Sequence, residues 1–304
     1  MKQHRHLNRR GKITVSFLFL TLFILPAVLI GVNSKEAAGQ EKPSISSIPA
    51  EELQVFNGER QTLESSELYQ SIEVKKENER KEALAQKEEK QHEEDQQEKA
   101  IYLTFDDGPS SETNRLLNLL DQYHVKATFF MLGPNIQKYP KAVNRMVDEG
   151  FSVGMHGMTH SVQQIYGSTT APLNEMKEDQ SIIEEITGVT STLVRAPYGS
   201  VPYLTEAMRE LLHQNEFNIW DWNVDSRDWE LKDERFVQES IQKIEHLEES
   251  NITPIVLLHD KLATLKHLPK LLTYLQQNGY ETKTITNDKA PLTFRCAGRC
   301  HSIN

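Results

Sequence analysis

Two adjacent carboxylates and a pair of histidines are the first residues in this sequence whose types and spacing suit catalysis. Asp106 and Asp107 stand in the run Thr-Phe-Asp-Asp-Gly-Pro at 104–109, and His156 and His160 lie four residues apart. One carboxylate with two neutral imidazoles is a common ligand set for a catalytic divalent metal, and a second carboxylate can act as a general base. Alone, however, Asp-Gly-Pro is also a turn sequence, and two histidines at this spacing are usually unrelated surface residues.

Three further polar clusters contain residue types suited to hydrolysis. Arg195 stands in Arg-Ala-Pro-Tyr and can hold a neighbouring aspartate ionised. Residues 220–229 contain all three tryptophans among polar residues, and such rings stack on sugars. His259 ends an apolar run and is a candidate general acid. Each cluster also has an ordinary interpretation: an ion pair before a turn, packing of tryptophans in the core, or a buried structural histidine.

The elements that must position these clusters are short apolar runs alternating with helical patterns from Ile101 onward. The predicted strands are 101–105, 127–131, 151–155, 193–195, 217–222, 255–259 and 282–285. The predicted helices are 112–123, 135–149, 172–187, 202–214, 233–249 and 265–278. Gly150 and Gly279 stand where helix C-caps belong.

Strand and helix alternation predicts an α/β fold with a parallel sheet and outer helices. The number of units favours a barrel of seven or eight parallel strands over an open sheet. In such barrels the chemistry lies at the C-terminal ends of the strands. All five polar clusters stand at the ends of predicted strands, so we expect them to meet in one site.

Composition restricts the class of partner. The chain has 304 residues and a formal net charge of −10. Its first 34 residues hold five basic residues and no acidic one, which leaves 29 basic and 44 acidic residues in the remainder. Because phosphate binding needs clustered Lys and Arg, this excess of acidic residues predicts that the protein has no nucleic acid partner. Two cysteines are too few for a disulfide scaffold.

Residues 13–32 form an uncharged apolar stretch after the basic segment 1–12. Twenty residues at ~1.5 Å each span a ~30 Å hydrocarbon core, so the stretch predicts a transmembrane helix in contact with the lipid bilayer. The basic flank places the N-terminus in the cytoplasm and the rest of a single-pass protein outside the cell membrane. The alternative is a cleaved signal peptide, which would make the protein secreted.

Residues 33–99 have the composition of a linker followed by a charged stalk. The first part is rich in Ser and Pro, and from Glu73 to Lys99 good helix formers alternate with charges. No apolar seam for a coiled coil recurs. We therefore predict a partly helical spacer, then a catalytic domain at 100–290.

A short tail at 291–304 holds both cysteines, Cys296 and Cys300. In an exported chain they suit a small disulfide loop, and free thiols in a disordered tail are the alternative. Two thiols and one histidine make an incomplete structural zinc set. We expect no catalytic role for the tail.

The five clusters together resemble the polysaccharide deacetylases, carbohydrate esterase family 4. The resemblance rests on Thr-Phe-Asp-Asp-Gly-Pro at 104–109, His-Gly-Met-Thr-His at 156–160, Arg-Ala-Pro-Tyr at 195–198, Asp-Ser-Arg-Asp-Trp at 225–229 and Leu-Leu-His-Asp at 257–260, in order. It implies a distorted (β/α) barrel and metal-dependent removal of N-acetyl groups from a polysaccharide. With an anchor and a stalk, the chain is similar to the membrane-bound peptidoglycan N-acetylglucosamine deacetylases of Gram-positive bacteria.

The resemblance also implies roles for the first three motifs. Asp106 corresponds to the catalytic base of the family. Asp107, His156 and His160 correspond to its metal ligands, which usually hold Zn²⁺ and sometimes Co²⁺ or another divalent ion. Arg195 corresponds to the residue that orients the base.

The remaining roles lie in the later motifs. The backbone N–H of Tyr198 corresponds to the oxyanion donor. Asp228 corresponds to the carboxylate that holds the catalytic histidine, and His259 to that histidine, the general acid. Trp229 and Leu257 correspond to walls of the pocket for the acetyl group.

Two departures from the family pattern leave the substrate open. Gly157 stands where the family has Ser or Thr, and Ser161 stands where it has Pro; both changes are expected to loosen the loop. The alternative substrates are N-acetylmuramic acid, chitin-like or biofilm glucosamine chains, and the ester of an acetyl-xylan. Other hypotheses are a catalytically silent wall-binding module and a different barrel metallohydrolase. We expect a monomer.

Overall fold

The computed structural model describes residues 50–97 and 99–303, with the backbone alone for 50–70, 96 and 97. The chain divides into two units, Met1–Glu64 and Ser65–Asn304. In the first unit the structure describes only residues 50–64, which are helical. Every contact reported below lies within the second unit.

Within the described residues, eight parallel strands form one sheet. They are β1 Ala100–Gly108, β2 Thr128–Met131, β3 Ser152–Met155, β4 Leu193–Val194, β5 Asn218–Ile219, β6 Val224–Asp225, β7 Ile255–His259 and β8 Glu281–Lys283. Seven of them follow the order β5-β4-β3-β2-β1-β7-β6, and β8 pairs with the start of β1. The predicted parallel α/β sheet is confirmed.

The sheet is a curled half-barrel, and the prediction of a barrel rather than an open sheet needs this correction. In the described part of the chain, the edge strands β5 and β6 do not pair with each other. Each of these strands has only two residues, and the residues between them form hydrogen bonds with two different strands, β4 and β7. The Trp220 N–H donates to the carbonyl of Val194, whereas the Asn223 N–H donates to that of Ile255. The strand predicted over 217–222 contains β5 and is longer than it, and β6 was not predicted.

Ten helices lie within the described residues. They are α1 Ala50–Gln97, α2 Thr113–Gln122, α3 Gly133–Lys138, α4 Pro140–Asp148, α5 Val162–Ile165, α6 Ala171–Thr187, α7 Glu206–Gln214, α8 Asp228–Leu231, α9 Arg235–Glu249 and α10 Leu262–Gln277. The helix predicted over 135–149 is split at Tyr139, because Pro140 has no N–H and disfavours helical backbone in the residue before it. The predictions also missed the short helices α5 and α8. Gly150 and Gly279 have positive φ after α4 and α10, as predicted.

Alternation along β1 decides which of its side chains enter the half-barrel. Ile101, Leu103 and Phe105 belong to the large core between the sheet and the helices. Tyr102 belongs to a smaller interior cluster on the opposite face. Because side chains alternate along a strand, Asp106 shares the interior face with Tyr102.

The end of the charged helix α1 is attached to the α/β domain. The Tyr102 hydroxyl donates to Asp95 at 3.1 Å, and Asp95 is almost fully buried. The Ala290 N–H donates to the side chain of Gln91 at 2.9 Å. Residues 50–97 and 99–303 contain no helix with the length and apolarity needed to cross a membrane. The predicted anchor at 13–32 lies outside the described residues.

The C-terminal tail folds back onto the domain. Cys296 and Cys300 form a disulfide, which is the first of the two predicted alternatives. The Phe294 N–H donates to the Asp221 carboxylate at 2.6 Å, and Arg209 donates to the Phe294 carbonyl at 2.9 Å. The tail is therefore part of the surface beside β5.

Candidate active site

A cavity of about 450 Å³ opens at the C-terminal ends of the strands, where a (β/α) fold places its chemistry. Most of the predicted site residues line it: Asp106, Asp107, His156, His160, Tyr198, Trp229, Leu257 and His259. Arg195 and Asp228 are buried and contact lining residues. The structure thus brings all ten predicted residues together.

A buried guanidinium holds the first carboxylate. Arg195 is fully buried, and its Nη1 donates to Asp106 Oδ1 at 3.0 Å and to the Thr104 hydroxyl. Its Nε and Nη2 donate to the carbonyls of Trp220 and Asp221 at 3.1 and 3.0 Å. A buried charge needs such partners. With Oδ1 bound to Arg195, Asp106 presents Oδ2 towards His156, whose Nε2 lies 3.9 Å away.

Asp107, His156 and His160 offer three ligand atoms within 4.8 Å of one another. Asp107 Oδ1 lies 3.6 Å from His156 Nε2 and 3.4 Å from His160 Nε2, and it is buried without a hydrogen-bond donor in the described part of the chain. His156 Nδ1 lies 2.7 Å from the Arg195 carbonyl, which only accepts, so Nδ1 carries the proton and Nε2 has a free lone pair. The donor set and the orphaned oxygen fit a divalent cation.

Local charges keep these ligands in the forms that bind a cation. Burial acts to raise the pKa of Asp107, but His156, His259 and Lys261 outweigh it and lower the pKa to about 2. Lys261 Nζ donates to Asp107 Oδ2 at 2.9 Å. Burial lowers the pKa of His156, more than the nearby aspartates raise it. The carboxylate is therefore ionised and the imidazole neutral at neutral pH.

The histidine loop, residues 156–160, is held from behind by two acids of α6. Asp179 Oδ2 accepts from the N–H groups of His156 and Gly157 at 3.0 and 2.9 Å. Glu175 accepts from the Thr159 N–H and hydroxyl at 3.1 and 2.7 Å. Gly157 has φ +93°, and a Cβ there would meet Glu175 at 3.0 Å, so glycine suits this backbone.

A buried carboxylate faces the remaining histidine. His259 Nδ1 lies 2.7 Å from Asp228 Oδ1, and the His259 backbone N–H donates to Oδ2 at 2.8 Å. Burial acts to lower the pKa of His259, but the hydrogen bond and charge of Asp228 outweigh it, and the pKa is raised. Because the carboxylate accepts at Nδ1, Nε2 is the nitrogen left for the cavity.

The cavity mouth carries exposed rings above an apolar floor. Tyr198 and Trp229 are 50% and 48% exposed, whereas Leu257 is buried. Tyr198 has φ +66°, and its hydroxyl donates to the His160 carbonyl at 2.9 Å. Among the described residues its backbone N–H has no acceptor. The mouth therefore offers ring faces for a sugar and a free N–H donor.

Sequence and structural comparisons identify the family. Residues 93–220 match the family model described as polysaccharide deacetylase. YheN of Bacillus subtilis, itself provisionally assigned as a polysaccharide deacetylase, is 41% identical over 197 residues, which cover 64% of this chain and 70% of YheN. The chain belongs to the polysaccharide deacetylase family. This deacetylase is also 40% identical to a peptidoglycan-N-acetylglucosamine deacetylase of Bacillus cereus over 186 residues, 60% of this chain and 68% of that protein.

A solved structure has the same fold. The crystal structure of the polysaccharide deacetylase Bc1974 from Bacillus cereus aligns with a TM-score of 0.57 and 38% identity. The alignment covers 66% of this deacetylase and 98% of that chain. The half-barrel that carries the site is therefore a deacetylase domain, as the five motifs predicted.

Several residues that support the site were not predicted from the sequence. Glu175 and Asp179 are four residues apart on α6, a pattern that a solvated helix face shows equally. Nothing in the sequence distinguishes Lys261 from other lysines, and its contact with Asp107 is visible only in the fold. Trp222, which was noted only as one of three tryptophans, lines the deacetylase cavity, whereas Trp220 is fully buried.

Proposed function

We propose that this deacetylase hydrolyses the N-acetyl groups of N-acetylglucosamine in peptidoglycan, releases acetate and requires Zn²⁺. The observation that carries the proposal is one cavity with three functions in it: a cation site, an arginine-bound carboxylate, and a histidine paired with a buried acid. Similarity to the peptidoglycan-N-acetylglucosamine deacetylase of Bacillus cereus supports peptidoglycan as the polymer.

Asp107, His156 and His160 would hold the metal. Two imidazoles and one carboxylate leave coordination positions open for substrate and water. A zinc ion there supplies Lewis-acid polarisation of the acetamide carbonyl and of the attacking water. The Arg195 carbonyl fixes the His156 ring with Nε2 towards the ion, as outer partners of metal ligands commonly do.

Asp106 acts as the general base in this proposal. Its Oδ1 is held by Arg195, so Oδ2 is the oxygen that accepts the proton of the attacking water. Oδ2 lies 3.9 Å from His156 Nε2, a ligand atom of the cation site, which supports this role. Arg195 is therefore a positioning residue with no contact to the reacting atoms.

His259 donates the proton that the leaving amine needs. Asp228 stabilises its cationic form, and Nε2, the ring nitrogen not bound to Asp228, is left for the cavity that His259 lines. The Tyr198 N–H stabilises the negative oxygen that develops as water attacks, and losing such a donor typically costs ~10²–10³ in rate. Leu257 and Trp229 form the wall that receives the acetyl methyl group.

Acetate release from defined polymers tests the proposal. The full chain, purified in detergent, is given N-acetylated peptidoglycan, chitin oligomers or acetyl-xylan, each with chelator and with added zinc. We expect zinc-dependent release, fastest from peptidoglycan. Asp106→Asn should keep zinc affinity and lose turnover. Zinc binding without acetate from any polymer would support a silent wall-binding module instead.

We also propose that residues 13–32 anchor the protein in the cell membrane with the deacetylase domain outside. The uncharged run and its basic flank support this orientation. Protease added to intact cells should remove the domain, and release of the uncut domain into the medium would indicate a cleaved signal. We propose a monomer, because a single chain supplies every site residue described; sedimentation would test it.

A further inference from the structure

A second cavity, of about 600 Å³, lies beside the catalytic cavity. The two share Trp222 and Asp225 in their walls, so they are direct neighbours. The far wall consists of residues 292–295 and Arg299, from the tail. A polysaccharide whose acetylated unit occupies the catalytic cavity would extend one neighbouring unit into this second cavity.

The second cavity is basic in a protein that is acidic overall. Arg295, Arg299 and Lys243 line it against one acid, Asp225, while the whole chain has a net charge of −10. Lys243 Nζ donates to the Asp225 carbonyl at 2.6 Å, and Arg299 donates to the Arg295 carbonyl at 2.6 Å. The Arg295 guanidinium is exposed and has no hydrogen bond or ion pair within the described residues. It is available to an anionic ligand.

The tail that presents Arg295 is built into the domain. The Cys296–Cys300 disulfide closes its loop, and Arg209 donates to the Phe294 carbonyl at 2.9 Å. The Asp221 carboxylate accepts from the Phe294 N–H at 2.6 Å, while the Asp221 carbonyl accepts from the catalytic-site residue Arg195. The backbone that carries the arginines is thereby held in place beside the active site, which lowers the cost of ordering a subsite there.

Ring surfaces accompany the charges. Trp222 and Phe294 form an edge-to-face pair with centroids 5.3 Å apart, and both line the second cavity. Aromatic rings offer apolar faces to sugars, and a guanidinium recognises a carboxylate through two parallel hydrogen bonds. The combination suits a saccharide that bears a carboxylate and does not suit a neutral one.

We propose that the second cavity is a subsite for the carboxylate-bearing unit next to the one that is deacetylated. The inference rests on the proposed function, because in peptidoglycan that unit is N-acetylmuramic acid. Its carboxylate belongs either to the lactyl group or to an attached stem peptide. Arg295 makes the main contact, and Trp222 packs against the sugar ring.

Charge removal at Arg295 tests the subsite. Arg295→Gln and wild type are compared, as zinc-loaded full chains, on chitin oligomers and on peptidoglycan strands with and without stem peptides. We expect kcat/KM to fall roughly five- to tenfold on strands and to stay unchanged on chitin. The wild-type preference for strands should weaken with added salt, and that of the variant should not. Arg235→Gln, an exposed arginine that lines neither cavity, is the matched control.

The outcomes separate this proposal from the function on which it rests. An equal loss on chitin and strands, or no loss on either, overturns the subsite. A fall in kcat/KM on peptide-free strands shows that Arg295 binds the lactyl carboxylate. A fall only on peptide-bearing strands shows that it binds a carboxylate of the stem peptide. If wild type releases no acetate from any polymer, the proposed function fails. Anisotropy of labelled strands with and without stem peptides then tests the subsite alone, and equal binding of both strands by wild type and Arg295→Gln overturns it.

Discussion

Replacing Asp228 with Asn removes the charge that faces His259 while it keeps the size of the side chain. The carboxylate accepts from the His259 ring at 2.7 Å and from its backbone N–H at 2.8 Å, and from the Thr264 hydroxyl. The amide oxygen of Asn can still accept from the backbone. The ring loses its anionic partner, so the pKa of His259 should fall from its raised value.

The size of the effect follows from the burial of the pair. Asp228 is 1% exposed, so water screens the interaction little. A hydrogen bond to a charged group contributes ~1.5–3 kcal/mol, and ~1.4 kcal/mol corresponds to a factor of ten. We therefore expect kcat/KM to fall about 10- to 100-fold at pH values where the variant His259 has lost its proton.

The sign of the pH dependence is fixed by the role of the group. A general acid must carry its proton, so activity falls as pH rises through the pKa of His259. In wild type this alkaline limb lies above the ordinary histidine pKa, and in Asp228→Asn it should move to lower pH. The deficit should therefore shrink as the pH is lowered and both proteins become protonated.

The assay is kcat/KM for acetate release across pH, with zinc saturating. Thr264→Val is the control, because it removes one neutral donor to Asp228 and leaves the charge in place. Its alkaline limb should stay close to that of wild type. An unchanged limb in Asp228→Asn, with a rate lowered equally at every pH, would refute the assignment of His259 as the acid.

Stability should respond to pH through the same pair. Folding raises the pKa of His259 and lowers the pKa of Asp228, because their hydrogen bond and mutual attraction outweigh the opposite effect of burial on each group. The attraction is therefore fully present between the ordinary pKa values of Asp and His. It is lost as pH rises through the raised value of His259 or falls through the lowered value of Asp228. This follows from linkage and is independent of turnover.

Three other substitutions have defined consequences. Arg195→Met leaves Asp106 as an unpaired buried charge and should lower the free energy of unfolding by ~3–5 kcal/mol in urea titrations, and a loss below ~1 kcal/mol would contradict the network. Asp179→Asn weakens the support of the histidine loop and should reduce zinc affinity ~10–100-fold by calorimetry; unchanged affinity would show that this support is dispensable. Asp95→Ala leaves the buried Tyr102 hydroxyl without its acceptor and should lower the free energy of unfolding by ~1–3 kcal/mol, measured by thermal unfolding. Unchanged stability would show that α1 is not held to the domain through this contact.

Much of the fold was predictable because apolar runs and helical periodicity are local signals. β1, β2, β3 and β7 were predicted within about three residues of their observed ends, since each is a run of apolar residues between turn signals. The break at Tyr139 was also readable, from Pro140. The short pairings of β5 and β6 were not, because two-residue strands carry no periodicity and depend on neighbours distant in sequence.

The site residues were predictable as types and positions but not as contacts. Asp106 and Asp107 stand at the C-terminal end of β1, and the histidine loop follows β3, which is separated from β1 by β2 alone. Their convergence at one edge of the sheet is a consequence of parallel topology. Lys261 and the acids of α6 were missed, because a charged residue on a helix or loop has the same appearance in sequence whether it faces solvent or a catalytic loop. Their roles depend on packing between elements.

The sequence by itself determined the order of the five motifs, the parallel α/β class and the identity of each reactive group, because these depend on residue type and local pattern. Only the tertiary structure decided where protons and charges lie. The Arg195 carbonyl, 39 residues away in the sequence, determines which ring nitrogen of His156 carries no proton, and His259 is paired with the buried Asp228. The tertiary structure also brings the tail against β5 to form a basic second cavity. Such features arise from contacts between distant residues, which no local pattern encodes.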